Sequence, residues 1–162
     1  MRKFILTIDQ GTTSSRVTLY NNRFNVVDTI QKELTQFFPN DGWVEHSPLE
    51  IWNDVKTLIS KILKKNKLKG SQILSIGITN QRETTVLWDK ITGKPIYNAI
   101  VWQDRRTAGI CSALKKKKLA SKIQKITGLI IDPYFSATKI KWILTYAKNA
   151  KKLLKKNNLL FG

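Results

Sequence analysis

Two groups of residues in this chain have the types and spacing to do chemistry. The first is Asp9-Gln10-Gly11-Thr12-Thr13-Ser14-Ser15-Arg16, directly behind the apolar run Phe4-Ile5-Leu6-Thr7-Ile8. A glycine such as Gly11 lets the backbone come close to an anion and adopt φ > 0. Successive N–H groups in a turn of this kind form a concave cradle for oxyanions. Thr12, Thr13 and Ser14 add hydroxyl donors, and Arg16 adds a planar charged fork. Asp9, at the end of the run, is placed to hold Mg²⁺ through water, the usual arrangement beside phosphates. The stretch therefore reads as a polyphosphate-binding hairpin or as a hairpin with polar decoration. The Walker pattern Gly-x-x-x-x-Gly-Lys-Ser/Thr is absent, so a P-loop is excluded.

The second group gathers at the ends of two later strand-like runs, as Asn80-Gln81-Arg82-Glu83 and Trp102-Gln103-Asp104-Arg105-Arg106. In open α/β sheets, ligands sit beyond strand ends. Arg82 supplies donors and Glu83 acceptors, a combination suited to a small neutral polyol whose hydroxyls do both. Trp102 can lay an apolar face against the carbons of such a molecule. The plainer alternative is a surface ion pair beside a core tryptophan. His46, the one histidine, has no acidic or thiol cluster near it in sequence. It reads as a surface residue, not a metal ligand.

The elements that must position these groups follow from pattern. Strands are expected near 3–8, 16–21 and 25–35, with a turn at Asn21-Asn22-Arg23. Residues 36–45, holding Pro39-Asn40-Asp41-Gly42, read as a loop, in which Trp43 packs over a sheet edge. Ser47-Pro48-Leu49-Glu50 is a capping box with proline at the first helical position. Behind it Ile51, Val55, Leu58, Ile59 and Ile62 recur on one helical face. Ile73–Thr79 is an apolar run suited to a buried parallel strand. Further strands are expected over 84–89 and 96–101, and helices over 136–147 and 148–157.

With 162 residues and 41% hydrophobic content, the chain is long enough to bury a real core. One cysteine, Cys111, precludes an intramolecular disulfide and suits a reducing cytoplasm. Arg2 and Lys3 precede a short apolar run, but Asp9 interrupts it before signal-peptide length, and no stretch approaches a membrane span. Twenty-nine Lys and Arg against eleven Asp and Glu give a net charge of +18. That balance admits nucleic-acid binding, but the lysines cluster on or just after expected helices, where a solvated face is the commoner meaning. Nucleic acid is thus the minority reading.

The phosphate turn Asp9-x-Gly11-Thr12-Thr13-Ser14-x-Arg16, between two expected antiparallel strands, resembles that of the actin-like ATPase superfamily. Asn80-Gln81-Arg82-Glu83-Thr84-Thr85, Trp88-Asp89, Ala99–Arg106 and Gly128–Lys139 follow in the order found in the FGGY carbohydrate kinases, and are most similar to the members acting on glycerol. The match runs from Asp9 to about Trp142.

The resemblance implies an α/β, ribonuclease H-like domain with a mixed sheet and flanking helices, an incomplete first domain over 1–162 without the second, nucleotide-binding one. It implies phosphorylation of glycerol to glycerol 3-phosphate with ATP and Mg²⁺. Gly11, Thr12, Thr13, Ser14 and Arg16 would meet the nucleotide phosphates, with Asp9 toward the metal. Arg82, Glu83 and Tyr134 would hydrogen-bond the glycerol hydroxyls, and Trp102 would pack on its carbons. Tyr134 enters by resemblance alone; Asp104 would fix Arg105 or Arg106. The catalytic base is expected downstream of Gly162, so this chain alone is expected to be inactive or nearly so. A full-length relative would be a homo-oligomer. The competing expectation is a non-catalytic domain that binds a partner through an unfilled apolar face.

Overall fold

The computed structural model describes residues 3–162; Arg2 lies outside them. Two compact units make up the chain: residues up to Thr35 with Leu49–Gln81, and Gln36–Pro48 with Arg82–Gly162.

The first unit is built on a four-stranded mixed sheet. Strands β1 (Phe4–Gln10), β2 (Ser14–Asn21) and β3 (Val26–Glu33) pair antiparallel in sequence. The turn after β2 is closed by Asn21, whose carboxamide oxygen accepts the N–H of Arg23 and of Asn25. A short β4 (Glu45–His46) belongs to the other unit. Strand β5 (Ile73–Thr79) joins β1 in parallel, giving the order β3-β2-β1-β5. Helix α1 (Pro48–Lys65) starts at the proline that its capping signals mark. Its Leu58 and Ile62 pack with Phe4, Leu6, Ile8, Val17 and Leu19 into one buried cluster. These are alternate residues of β1 and β2 meeting one stripe of the helix, as periods of two and 3.6 require. Lys32 to Asp54 at 2.6 Å and Lys65 to Asp28 at 2.9 Å tie α1 to β3.

Strand β5 departs from its expected burial. Leu74, Ile76 and Ile78 are 59, 52 and 72% exposed, because β5 is the outer strand of this sheet. An apolar run cannot itself reveal whether a neighbour covers it.

In the second unit, β4 pairs with β7 (Ala99–Ile100), and β6 (Leu87–Asp89) pairs with β8 (Leu159–Phe161). The expected strands over 84–89 and 96–101 shrink to these short ladders. Isolated bridges from Thr85 to Ile100 and from Trp88 to Pro95 extend them. Four helices follow: α2 (Ala108–Lys116), α3 (Ala120–Thr127), α4 (Ser136–Tyr146) and α5 (Ala150–Lys155). Leu87, Ile100 and Ile143 are the fully buried core, with Ile140, Trp142 and Leu159 against them. Cys111 is buried on α2. No helix among the described residues is long and apolar enough to cross a membrane.

Candidate functional site

The turn at the end of β1 is a closed hairpin. Asp9 pairs with Arg16 and Gln10 with Ser15 across the β1–β2 ladder, leaving Gly11, Thr12, Thr13 and Ser14 to make the bend. The Gly11 N–H donates to the Ser14 carbonyl at 2.9 Å, so it closes the turn instead of facing an anion. Gly11 is not in the left-handed region. The glycine eases a tight spot: an added Cβ would stand 3.3 Å from the Ser14 carbonyl oxygen, which would have to give by a few tenths of an ångström. Thr13 stands exposed, with Thr12 and Ser14 half-buried beside it.

Two residues the sequence reading passed over brace this bend. Buried Ser15 donates its hydroxyl to Gln10 Oε1 at 2.6 Å, and Gln10 Nε2 donates to the Gly11 carbonyl at 3.1 Å. Pairing of Gln10 with Ser15 across a four-residue bend was the available signal. Arg16 is held along the sheet by Gln31 Oε1 at 3.0 Å, with its guanidinium 3.9 Å from Asp9. Among the described residues no group of three or more His, Cys, Asp or Glu could cage a metal. Asp9, a lone half-exposed carboxylate beside the turn, fits a hydrated Mg²⁺ shared with phosphate oxygens, the ion's preferred coordination.

In the second unit, the start of α4 draws the other candidates together. Glu83 Oε2 accepts the Ser136 N–H at 2.9 Å and the Ser136 hydroxyl at 2.8 Å; Oε1 carries neither bond. A carboxylate at a helix N-terminus is favoured by the unpaired N–H groups and dipole there. Glu83 itself sits at φ 59°, an uncommon conformation for a residue with a Cβ. Tyr134 packs edge-on to Trp102, ring centroids 6.0 Å apart. Its N–H is held by Asp132 at 2.9 Å. Lys139, wholly buried on α4, donates to the carbonyls of both Glu83 and Tyr134. Glu83, Trp102 and Tyr134 thus share one locality of the second unit. Arg82 is the exposed neighbour of Glu83 in the same turn.

Asp104 is resolved by its contacts. Its carboxylate accepts the Val44 N–H at 2.7 Å and the Arg106 N–H at 2.8 Å, and takes the Arg106 guanidinium in a bidentate grip at 2.8 to 3.0 Å. The fork of Arg106 also reaches Glu45 at 2.8 Å. It lies in the corner formed by the rings of Trp43 and Trp142, 3.9 and 4.7 Å from their centroids, the two rings meeting edge-on at 5.2 Å. Burial pulls this guanidinium toward deprotonation, but the bonds from Asp104 and Glu45 outweigh it and raise its pKa. Trp43 therefore stacks on a cation and does not cover a sheet edge. His46 is likewise buried, with Nε2 2.7 Å from Gln36 Oε1, and is not a surface residue. Both follow from β4, a two-residue strand inside what reads as a loop.

A half-open depression of about 970 Å³ lies in the first unit, lined by Lys3, Arg23, Asn25 and Gln72 among others. It borders Phe4 and Asn21, at the opposite end of β1 and β2 from the Gly11 turn, and holds none of the candidate site residues.

Comparison with known proteins adds a separate line. Residues 4–160 match the family model described as the N-terminal domain of the FGGY family of carbohydrate kinases. Glycerol kinase of Bacillus subtilis is 54% identical over all 162 residues, which cover 33% of that enzyme. A crystal structure of Plasmodium falciparum glycerol kinase with ADP superposes with a TM-score of 0.91 at 37% identity, over 99% of this chain and 32% of that one. Gluconate kinase from Lactobacillus acidophilus, at 23% identity and a TM-score of 0.81, shares the fold over 90% of this chain and 29% of its own. The chain spans about a third of the length of the curated relatives it matches.

Proposed function

The chain belongs to the FGGY family of carbohydrate kinases, and from that premise we propose that it is the amino-terminal part of a glycerol kinase. The activity proposed is that of the full-length relatives. The γ-phosphoryl group of ATP passes to a primary hydroxyl of glycerol, giving ADP and glycerol 3-phosphate. Phosphoryl transfer is mostly positioning and charge neutralisation, and the residues of this chain divide those tasks. The bend of Gly11, Thr12, Thr13 and Ser14, stiffened by Gln10 and Ser15, offers hydroxyl and N–H donors to phosphate oxygens. Arg16, held along the sheet by Gln31, adds a fixed positive charge. Asp9 would hold Mg²⁺ through water, and the ion would supply further neutralisation of the phosphates.

On the acceptor side, Glu83 Oε1 accepts a hydrogen bond from one hydroxyl, Arg82 donates and the Tyr134 phenol donates or accepts at neighbouring hydroxyls, and Trp102 covers the carbons. The catalytic base is assigned to none of these residues. The complete enzyme is proposed to work in the cytoplasm as a homo-oligomer.

The observation that carries this reading is the gathering of Glu83, Trp102 and Tyr134 about the start of α4, Glu83 on Ser136 and Trp102 against Tyr134 just before the helix. It is tested by calorimetric titration of the chain with glycerol and with 1,2-propanediol. Glycerol binds, and loss of one hydroxyl weakens binding by about ten- to a hundredfold, since a polar site rejects a ligand that leaves its donors unpaired. Equal affinity for the two would defeat the assignment.

A second reading has one observation in its favour. The exposed apolar side chains of β5 leave an edge at which the domain could dock another chain without catalysis. Sedimentation that is independent of concentration would count against it.

A further inference from the structure

We infer that Lys139 is the positioning residue of the polyol subsite: its buried ammonium ties the Glu83 carbonyl to the Tyr134 carbonyl and so sets how far apart their side chains meet the ligand. The inference rests on the polyol reading of that site. Lys139 is wholly buried, at 0% exposure. A lysine is almost never buried without a reason that offsets its desolvation. Its Nζ lies 2.9 Å from the Glu83 carbonyl, bonds the Tyr134 carbonyl as well, and sits 6.0 Å from the Tyr134 ring centroid.

These two carbonyls belong to segments about fifty residues apart in sequence, and neither lies in a helix or strand. Glu83 needs the help most, because its backbone sits at φ 59°. A conformation of that kind persists only where surrounding contacts over-determine it. Two restraints do so: Ser136 grips the Glu83 carboxylate and Lys139 grips its carbonyl. Both come from α4, so the helix holds the glutamate at both ends. Thr138, between them on α4, bonds Thr107 at the head of α2 at 2.8 Å and anchors the helix.

The ammonium is also a titrating group. Burial depresses its pKa to about 8, against the upward pull of Glu83, Asp104, Asp132 and the Cys111 thiol. Those four face it from the turn after β5, the segment before α2, the segment before α4, and α2 itself. Above that pH the cation becomes a neutral amine, and its two carbonyl bonds lose their charge assistance. The subsite should then loosen while the fold, relieved of a buried charge, does not.

The experiment measures glycerol affinity by calorimetry from pH 6.5 to 9.5, about the range spanning the titration, for the unaltered chain and for Lys139→Met. In parallel, the Cε resonance of Lys139 is followed by NMR in the unaltered chain. The expected result is an affinity that falls about tenfold through a midpoint shared with the lysine resonance. Lys139→Met should bind about ten- to a hundredfold more weakly at neutral pH and show no such midpoint. If Lys139→Met does not fold, the unaltered chain still decides by the coincidence of the two titrations. Glycerol affinity that is flat through the lysine titration, or unchanged in a folded Lys139→Met, overturns the inference and leaves the polyol site standing. No glycerol binding by the unaltered chain at any pH overturns the polyol reading and the inference together.

Discussion

Removing Arg106 should damage this protein more than almost any other single change. Its side chain and that of Asp104 are fully buried, and Glu45 is 3% exposed. Arg106→Met leaves two buried carboxylates facing each other without their cation. Breaking a buried ion pair of this kind typically costs about 3–5 kcal/mol. Loss of the cation–π contacts with Trp43 at 3.9 Å and Trp142 at 4.7 Å adds about 1–2 kcal/mol. The contributions share one group and do not add fully, so about 4–6 kcal/mol is expected. That is most of the stability of an ordinary domain. Arg106→Lys keeps the charge but gives up the bidentate fork, and should cost about half as much. Urea unfolding followed by tryptophan fluorescence reads both, since two of the five tryptophans line the site. Arg106→Met combined with Asp104→Asn and Glu45→Gln should recover part of the loss, because no charge is then stranded. A cost below about 1 kcal/mol for Arg106→Met, or a triple variant no better than the single one, would refute this account.

Four further expectations follow the same logic. Ser15→Ala removes the 2.6 Å bond to Gln10 and should cost about 1 kcal/mol while weakening binding of a fluorescent ATP analogue; unchanged binding would show that the bend needs no brace. The Asp28 carboxyl is held below its ordinary 3.8, first by Lys65 and then by Asn66. It therefore stabilises the fold above that pH and loses the contribution as pH falls through its lower folded value. Asp28→Asn should flatten that part of an acid unfolding curve. Lys139 titrates near 8 when folded and near 10.5 when unfolded, so between these values the unfolded chain binds the extra proton. Relative to Lys139→Met, urea stability of the unaltered chain should rise across that window by about 3 kcal/mol at most. Finally, Ile78→Lys on β5, where the isoleucine is 72% exposed, should change stability by less than about 0.5 kcal/mol, as read by thermal unfolding.

The parts of the fold legible in the sequence are those decided by local chemistry. The β1–β2–β3 meander follows from alternation and the Asn21 turn, and α1 starts where Pro48 and its capping signals place it. The bend after β1 was legible as a location, because few other stretches put a glycine, four hydroxyls and an arginine behind a strand. Its inner workings were not: whether Gly11 serves a positive φ or a tight contact depends on where the Ser14 carbonyl points. The cluster at the start of α4, proposed to hold a polyol, needed more than spacing. Glu83 and Ser136 lie 53 residues apart, and only the folded second unit makes them neighbours. Lys139 was quoted within a motif and given no role, since a lysine on a helix normally reads as solvated. Asp104 was expected to fix Arg105 or Arg106 and does grip Arg106, but the burial of that pair against Trp43 was not legible. Charge and aromaticity in a loop carry no sign of burial until β4 and the α4 face enclose them.

The left-handed backbone at Glu83 has one more consequence. By backbone preference alone a glycine belongs at position 83, but Glu83→Gly would also strip Ser136 of the carboxylate that accepts its N–H and hydroxyl, leaving the head of α4 uncapped. Relief of backbone strain and loss of the helix cap oppose each other at this one position. The same carboxylate that closes α4 with one oxygen is proposed to keep the other for an alcohol, so a change made here for either purpose disturbs both.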